Sequence, residues 1–247
     1  MIWQIIGIYS MNDIYKNKIR RLIGKCGIRI SRASSLRYAY DRENYPSLSS
    51  TPTPVIFDIG ANIGQSTLWY LNSFPAATVY AFEPLPSVYK TLTANVGTLE
   101  NVICIQKAVG VRNEAIYIPS IKSDTIQTVQ VLGIGAQSNQ SDVKIEVLTI
   151  DRFVNQKNIP VLDILKTDTE GYDLDVLKGA SGILKQQRVK YVLSEVSIHE
   201  GDSQHTNLFV LRDFLKVFGY SFCSFFDGYH DENGRIPYFN ALFQAGD

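Results

Sequence analysis

Two sets of residues in this sequence have the types and spacing to do chemistry. The first is the run Asp58-Ile-Gly60-Ala61-Asn62-Ile-Gly64-Gln65-Ser66. Glycines at 60 and 64 let the backbone turn sharply and pass close to a ligand, and Asp58 and Asn62 bring polar groups into the same turn. The second set is acidic. Lys166, Asp168 and Glu170 alternate, which in an extended segment places them on one side. Glu195 and His199 follow at and beyond the end of the next apolar run. Carboxylates crowded at adjacent strand ends either raise one another's pKa, which makes a general base, or hold a hard cation such as Mg²⁺. Base chemistry by a carboxylate or by His199 is preferred over Mg²⁺, because no separated Asp-Asp-Asn ligand set is visible, and no metal ligands are assigned.

These residues belong to an alternating pattern. Apolar strand-like runs at 55–59, 78–82, 102–106, 162–167 and 189–196 alternate with helical patterns at 65–73, 86–96, 149–155, 172–180 and 207–218. That alternation implies a mostly parallel sheet covered on both faces. Residues 220–226 and 238–244 read as two closing strands with no helix between them, an antiparallel edge. Residues 115–118 and 143–148 read as strands of a side element, with a Gly-, Gln- and Ser-rich loop at 126–141 between them. In an open parallel sheet, ligands bind beyond the carboxyl ends of the strands, where both chemical sets lie.

The glycine turn is not a dinucleotide fingerprint. That motif needs a glycine where Asn62 stands, so that backbone can approach a pyrophosphate. No Gly-Lys-Ser/Thr follows, so it is not a phosphate loop either. S-adenosylmethionine, with an ammonium, a carboxylate and a sulfonium but no phosphate, fits better. Asp58 suits the ammonium, directly or through water, and the loop amides with Asn62 suit the carboxylate. Glu83 follows Gly64 by about 20 positions, the spacing at which an acid accepts hydrogen bonds from ribose hydroxyls, and Pro84 stands beside it. Gln106, Lys107 and Ala108, after the third strand, would flank the adenine by position alone.

Further motifs keep the same order: Phe-Glu-Pro-Leu-Pro at 82–86, Lys-Ala-Val-Gly at 107–110, Leu-Thr-Ile-Asp at 148–151, Asp-Ile-Leu-Lys-Thr-Asp-Thr-Glu-Gly at 163–171 and Val-Leu-Lys-Gly-Ala at 176–180. With the glycine turn, they resemble the FkbM family of class I methyltransferases from about Val55 to the chain's end. The resemblance implies an α/β, Rossmann-like class I methyltransferase fold: a mostly parallel seven-stranded sheet with an antiparallel edge, here preceded by an N-terminal helical segment. It implies O-methylation of a hydroxyl on a sugar, glycan or polyketide. Where the family usually has Lys-Ile-Asp-Val-Glu-Gly, this chain has Thr167 and Thr169, which should point away from the Lys/Asp/Glu face.

Other readings stay beside these. Glu170 could simply favour a helix N-terminus, Lys166 could be a paired buried lysine, and His199, His205 and His230 could be ordinary loop histidines. N-methylation, a secondary-metabolite acceptor and a non-catalytic module are the alternative functions. The intact glycine and acid sets argue against the last. A net charge of zero and the lack of an Asn/Asp-Pro-Pro-Tyr/Phe motif argue against nucleic acid. Three well-separated cysteines give no disulfide or zinc framework, and no run approaches the ~20 apolar residues of a membrane span, so a cytoplasmic location is expected.

Residues 1–50 read as a basic helical extension and linker, with a helix at 12–25 and a Ser/Thr/Pro-rich connection at 47–54, ahead of a methyltransferase domain over 51–247. Met11 is an alternative start. The basic helix would suit an anionic membrane surface or substrate, and a solvated face packed on the domain is the plainer option. The oligomeric state is open, a homodimer being one option.

Overall fold

The computed structural model describes residues 39–119, 142–228 and 236–246. The expected helix at 12–25 and the loop at 126–141 lie outside them. The main sheet has the order β10-β11-β8-β7-β1-β2-β3. Its strands are β1 (Val55–Ile59), β2 (Thr78–Phe82), β3 (Val102–Ile105), β7 (Leu162–Thr167), β8 (Val189–Ser197), β10 (Tyr220–Phe226) and β11 (Phe239–Ala245). β3, β2, β1, β7 and β8 run parallel. β11 is antiparallel to β8 and to β10, which is the antiparallel edge. A two-residue strand, β9 (Thr206–Asn207), also pairs with β8, so the sheet holds one strand beyond the expected seven.

The helices are α1 (Gln65–Ser73), α2 (Pro86–Val96), α3 (Ile150–Gln156), α4 (Asp173–Lys178), α5 (Ser181–Lys185) and α6 (Leu208–Lys216). Pro86 opens α2 at a position where its missing N–H costs nothing. Thr149 caps α3 by accepting from the Arg152 N–H, and Asn207 caps α6 through Phe209 and Val210. The helix expected over 172–180 is α4 alone, ending before Gly179, where an added Cβ would meet the Gly110 carbonyl, and a further short helix, α5, follows it.

Every residue of β7 is buried, as a central strand covered on both faces requires. One core holds Phe57, Phe82, Phe153, Leu165 and Val192. The other holds Ile56, Tyr70, Ile164, Tyr191 and Leu193. The chain runs outward from β1 through β2 to β3, then returns to place β7 on the other flank of β1. The strand order therefore reverses between β1 and β7, the point where open α/β sheets leave a crevice for ligands.

A second sheet, β4-β6-β5, stands apart. It comprises β4 (Ala108–Val109), β5 (Glu114–Pro119) and β6 (Asp142–Leu148), and contains the side element read from sequence.

Residues 39–48 contribute to the second core. Ala39, Tyr45 and Leu48 are fully buried in the second core. Tyr45 donates its hydroxyl to the Ala39 carbonyl (2.8 Å) and meets Tyr191 edge-on at 5.1 Å. The Tyr191 hydroxyl accepts from the Ser47 N–H and hydroxyl. The Ser/Thr/Pro-rich run at 47–54 suggested a connection; Leu48 inside it and Tyr45 just before it are nonetheless fully buried. Tyr45→Ala should cost about 3 kcal/mol or more of stability, read from urea unfolding. A loss under about 1 kcal/mol would mean that the segment is only loosely attached.

Candidate active site at the β1–β7 switch point

β1 ends in the turn Gly60–Gly64, with left-handed backbone at Gly60 (φ 76°), Asn62 (φ 50°) and Gly64 (φ 98°). The Gly60 and Ala61 N–H groups donate to the Phe82 carbonyl at the end of β2 (3.1 and 2.9 Å). On the other flank, the Asp168 N–H donates to the Ile59 carbonyl (3.1 Å). A Cβ on Gly60 would lie 1.9 Å from the Asp168 carbonyl oxygen. This position therefore demands glycine for space as well as for its φ.

Beneath the turn sits a sealed charge cluster. Asp58 has no exposure. It accepts from the Ser66 and Thr67 hydroxyls (2.6 and 2.7 Å) and pairs with Lys166 Nζ at 3.0 Å. Lys166, 1% exposed, also donates to the Gly60 carbonyl (3.1 Å) and pairs with Asp168 at 3.3 Å. Burial alone would depress the lysine, but Asp168 and Asp58 hold its ammonium well above the ordinary value. Asp58, Lys166 and Ser66 thus lie buried beneath the turn and hold it from below. The amides of Gly60, Ala61 and Gly64 are likewise already bonded to carbonyls, so they are not free for a carboxylate. Ala61 is buried, packed with Ala81 and Leu92.

Asn62 is placed differently. Its Oδ1 is buried without a partner, and the residue lines a cavity of about 350 Å³ beside the turn. Glu83 and Pro84 line the same cavity. Burial pushes Glu83 up to about 7, against the Leu85 and Asn62 N–H groups that favour its charge. Lys107 and Ala108 are also in the wall. Gln106, expected with them, is exposed and outside it, because β3 stops at Ile105. Gln65 is exposed at the start of α1.

Asp168 and Glu170 reach the cavity from the exit of β7. The Asp168 side chain is 37% exposed. Glu170 sits in a left-handed turn (φ 53°), and burial followed by the Asp168 charge raises its pKa. Thr167 turns to the other face, where its hydroxyl meets that of Ser194 (2.7 Å). Thr169, expected to turn away as well, lines the cavity instead.

Glu195 lies next to Asp168 on the neighbouring strand, since Thr167 and Ser194 are in register. Burial lifts its pKa to about 7. His199 is directed elsewhere: its Nε2 sits 2.9 Å from the Ile236 carbonyl, which leaves the ring tying two loops together. Among the described residues, no three acids, histidines or cysteines converge to hold a metal ion.

His205, read from the sequence as an ordinary loop histidine, contacts Glu195; it precedes a strand too short to leave a periodic signal. Other residues of this region carried no signal of their place here in the sequence. Tyr40 is packed edge-on against Tyr70 at 4.8 Å and feels the charges of Lys166, Asp58 and Asp168. The second sheet supplies an apolar wall through Val109, Ile116, Ile145 and Val147. Its period-2 alternation was visible in the sequence; its position against the cavity was not.

A family model described as the Methyltransferase FkbM domain matches residues 58–222, a span that includes the glycine turn, Glu83, Asp168 and Glu195. The chain belongs to the FkbM methyltransferase family. Among its relatives is the 2-O-methyltransferase NoeI of Sinorhizobium fredii, 26% identical over 168 residues, which are 63% of this chain and 69% of that one. Another is the hexuronic acid methyltransferase AglP of Haloferax volcanii, 29% identical over 147 residues, 60% of this chain and 56% of that one. The crystal structure of methyltransferase FkbM from Methylobacillus flagellatus superposes with a TM-score of 0.55 at 17% identity, covering 84% of this chain and 47% of that one. It supports the α/β methyltransferase fold. This FkbM-family methyltransferase therefore carries its family's motifs on the switch-point crevice, with the buried Asp58–Lys166 pair as their base.

Proposed function

We propose that this chain is an S-adenosylmethionine-dependent O-methyltransferase acting on a hydroxyl of a sugar, a glycan or another small hydroxylated metabolite. The carrying observation is the junction of Gly60 with Asp168: a nucleoside-type turn rests directly on the residue that presents an open carboxylate. The sulfonium supplies an electrophilic methyl group.

The residues present fit that donor. Glu83, in the cavity wall, is assigned to accept from the ribose hydroxyls. The unpartnered Asn62 Oδ1 offers an acceptor for the ammonium, and the first-turn amides of α1, which precede intrahelical bonding, suit the carboxylate. Pro84, Ala108 and the apolar second sheet provide flat contacts for the adenine. At the other end, an alcohol is a poor nucleophile near neutral pH, so a group must take its proton. Asp168 is partly open and held in place by Lys166, and is assigned that role. NoeI and AglP, whose names specify methylation of hydroxylated and sugar-acid substrates, support a sugar-type acceptor.

The test is incubation with S-adenosylmethionine and a panel of sugars, oligosaccharides and amines, with mass spectrometry for a single added methyl. Methylation confined to amines would replace O-methylation by N-methylation.

Cofactor binding should also depend on pH through Glu83. Ribose hydroxyls donate to the ionised carboxylate, so binding favours loss of its proton. Affinity for S-adenosylhomocysteine should then be full above about pH 7 and fall as pH drops below it, by roughly tenfold per unit at the limit. Glu83→Ala should bind weakly and lose this dependence in calorimetry. A mutant with wild-type affinity would remove Glu83 from the ribose site.

A further inference from the structure

His205 is built into the molecule more firmly than a loop histidine needs to be. Its Nδ1 lies 2.9 Å from Asp202 Oδ2, and its own N–H donates to Asp202 Oδ1 (3.1 Å). Its ring is stacked on Tyr238 with centroids 4.5 Å apart and planes 15° from parallel. Its Nε2 faces Glu195 Oε2 at 3.4 Å. The pairing of β9 with β8, Val196 opposite Thr206, puts His205 alongside Glu195. On β8, Ser194 turns toward Thr167, so alternation turns Glu195 to the face that carries Lys166 and Asp168.

We propose that His205 is a positioning residue for methyl transfer: clamped by Asp202 and Tyr238, it fixes the Glu195 carboxylate beside Asp168, where Glu195 receives the proton that Asp168 takes from the acceptor. This rests on the O-methylation reading. The step balances. The acceptor oxygen forms its bond to the methyl carbon as the carbon–sulfur bond breaks, and the sulfonium becomes a neutral thioether. The hydroxyl proton goes to Asp168, then to Glu195, and from there to water. An Asp–His pair that orients a third group is a recurrent arrangement, and here the third group is a carboxylate.

The charged groups facing His205 are Glu195 from β8, Asp202 from its own loop and Glu170 from the exit of β7; Asp168 and Lys166 face Glu195. Burial opposes the imidazolium, but Glu195 and Asp202 overcome it and raise His205 to about 9. The cation in turn favours the charged form of Glu195.

The test has two readouts. Without substrates, NMR of the imidazole Cε1–Hε1 resonances should show His205 titrating well above an ordinary histidine, and Glu195→Gln should return it toward the usual value. With substrates, His205→Gln should lower kcat and move the acid limb of its pH profile up by about one unit, while KM for the methyl donor stays constant. His205→Lys, which restores a cation, should bring the limb back. Retained binding of S-adenosylhomocysteine shows that each variant is folded. An ordinary His205 titration, or an unchanged acid limb in His205→Gln, overturns the proposal alone. Failure to methylate any hydroxyl acceptor overturns O-methylation and this step with it.

Discussion

Asp168→Asn should reduce methyl transfer by about 10²- to 10⁴-fold, the range for loss of a positioned general base, while affinity for S-adenosylhomocysteine changes little. The substitution keeps the shape of the side chain and removes its charge. It leaves the Asp168 carbonyl against Gly60 and the Asp168 N–H bonded to Ile59, because both contacts are made by backbone. The cofactor turn therefore has no reason to move. Rate assays under saturating donor and calorimetry, run on the same preparation, separate the two effects. A fully active Asp168→Asn variant would take this residue out of the proton transfer and leave Glu195 or Glu170 as the acid to examine.

The second large effect is on stability. Lys166→Met should destabilise the fold by about 3–5 kcal/mol, the cost of leaving a buried charge without its partner. The lysine is the cation bound to fully buried Asp58, and it also donates to the Gly60 carbonyl. Removing it strands Asp58 beneath the turn with hydroxyl donors alone. The double variant Lys166→Met/Asp58→Asn should be more stable than the single one, since the stranded charge is then gone. Urea unfolding of the three variants decides the matter, and a loss below about 1 kcal/mol in the single variant would show the pair to be energetically idle.

These two variants also mark where sequence reading succeeds and where it stops. Gly60 and Gly64 were legible as a left-handed turn from their spacing, and Glu83 from its position just past a strand. Asp58 lies in β1, as expected, and its side chain is buried beneath the turn, because one step along a strand decides which face a side chain takes. Lys166 carried both readings in the sequence, and only the distances to Asp58 and Gly60 separate them. Residues 47–54 looked like a connection because Ser, Thr and Pro dominate their composition, which hides the buried Leu48. His205 read as an ordinary loop histidine because its place beside Glu195 comes from a two-residue pairing between β8 and β9, too short to register as periodicity.

The contact between Gly60 and the Asp168 carbonyl has a geometric implication for the reaction. The two reacting partners would be held by different parts of the chain, and the spacing between those parts is set by main-chain atoms of β1 and β7 packed without room for a single extra carbon. The turn proposed to hold the methyl donor and the acid proposed as base thus share one ruler, graduated by strand register. Side-chain substitution elsewhere can reshape what approaches the methyl group, yet it has little purchase on this interval. An acceptor of unfamiliar shape would have to adjust its own pose to reach Asp168.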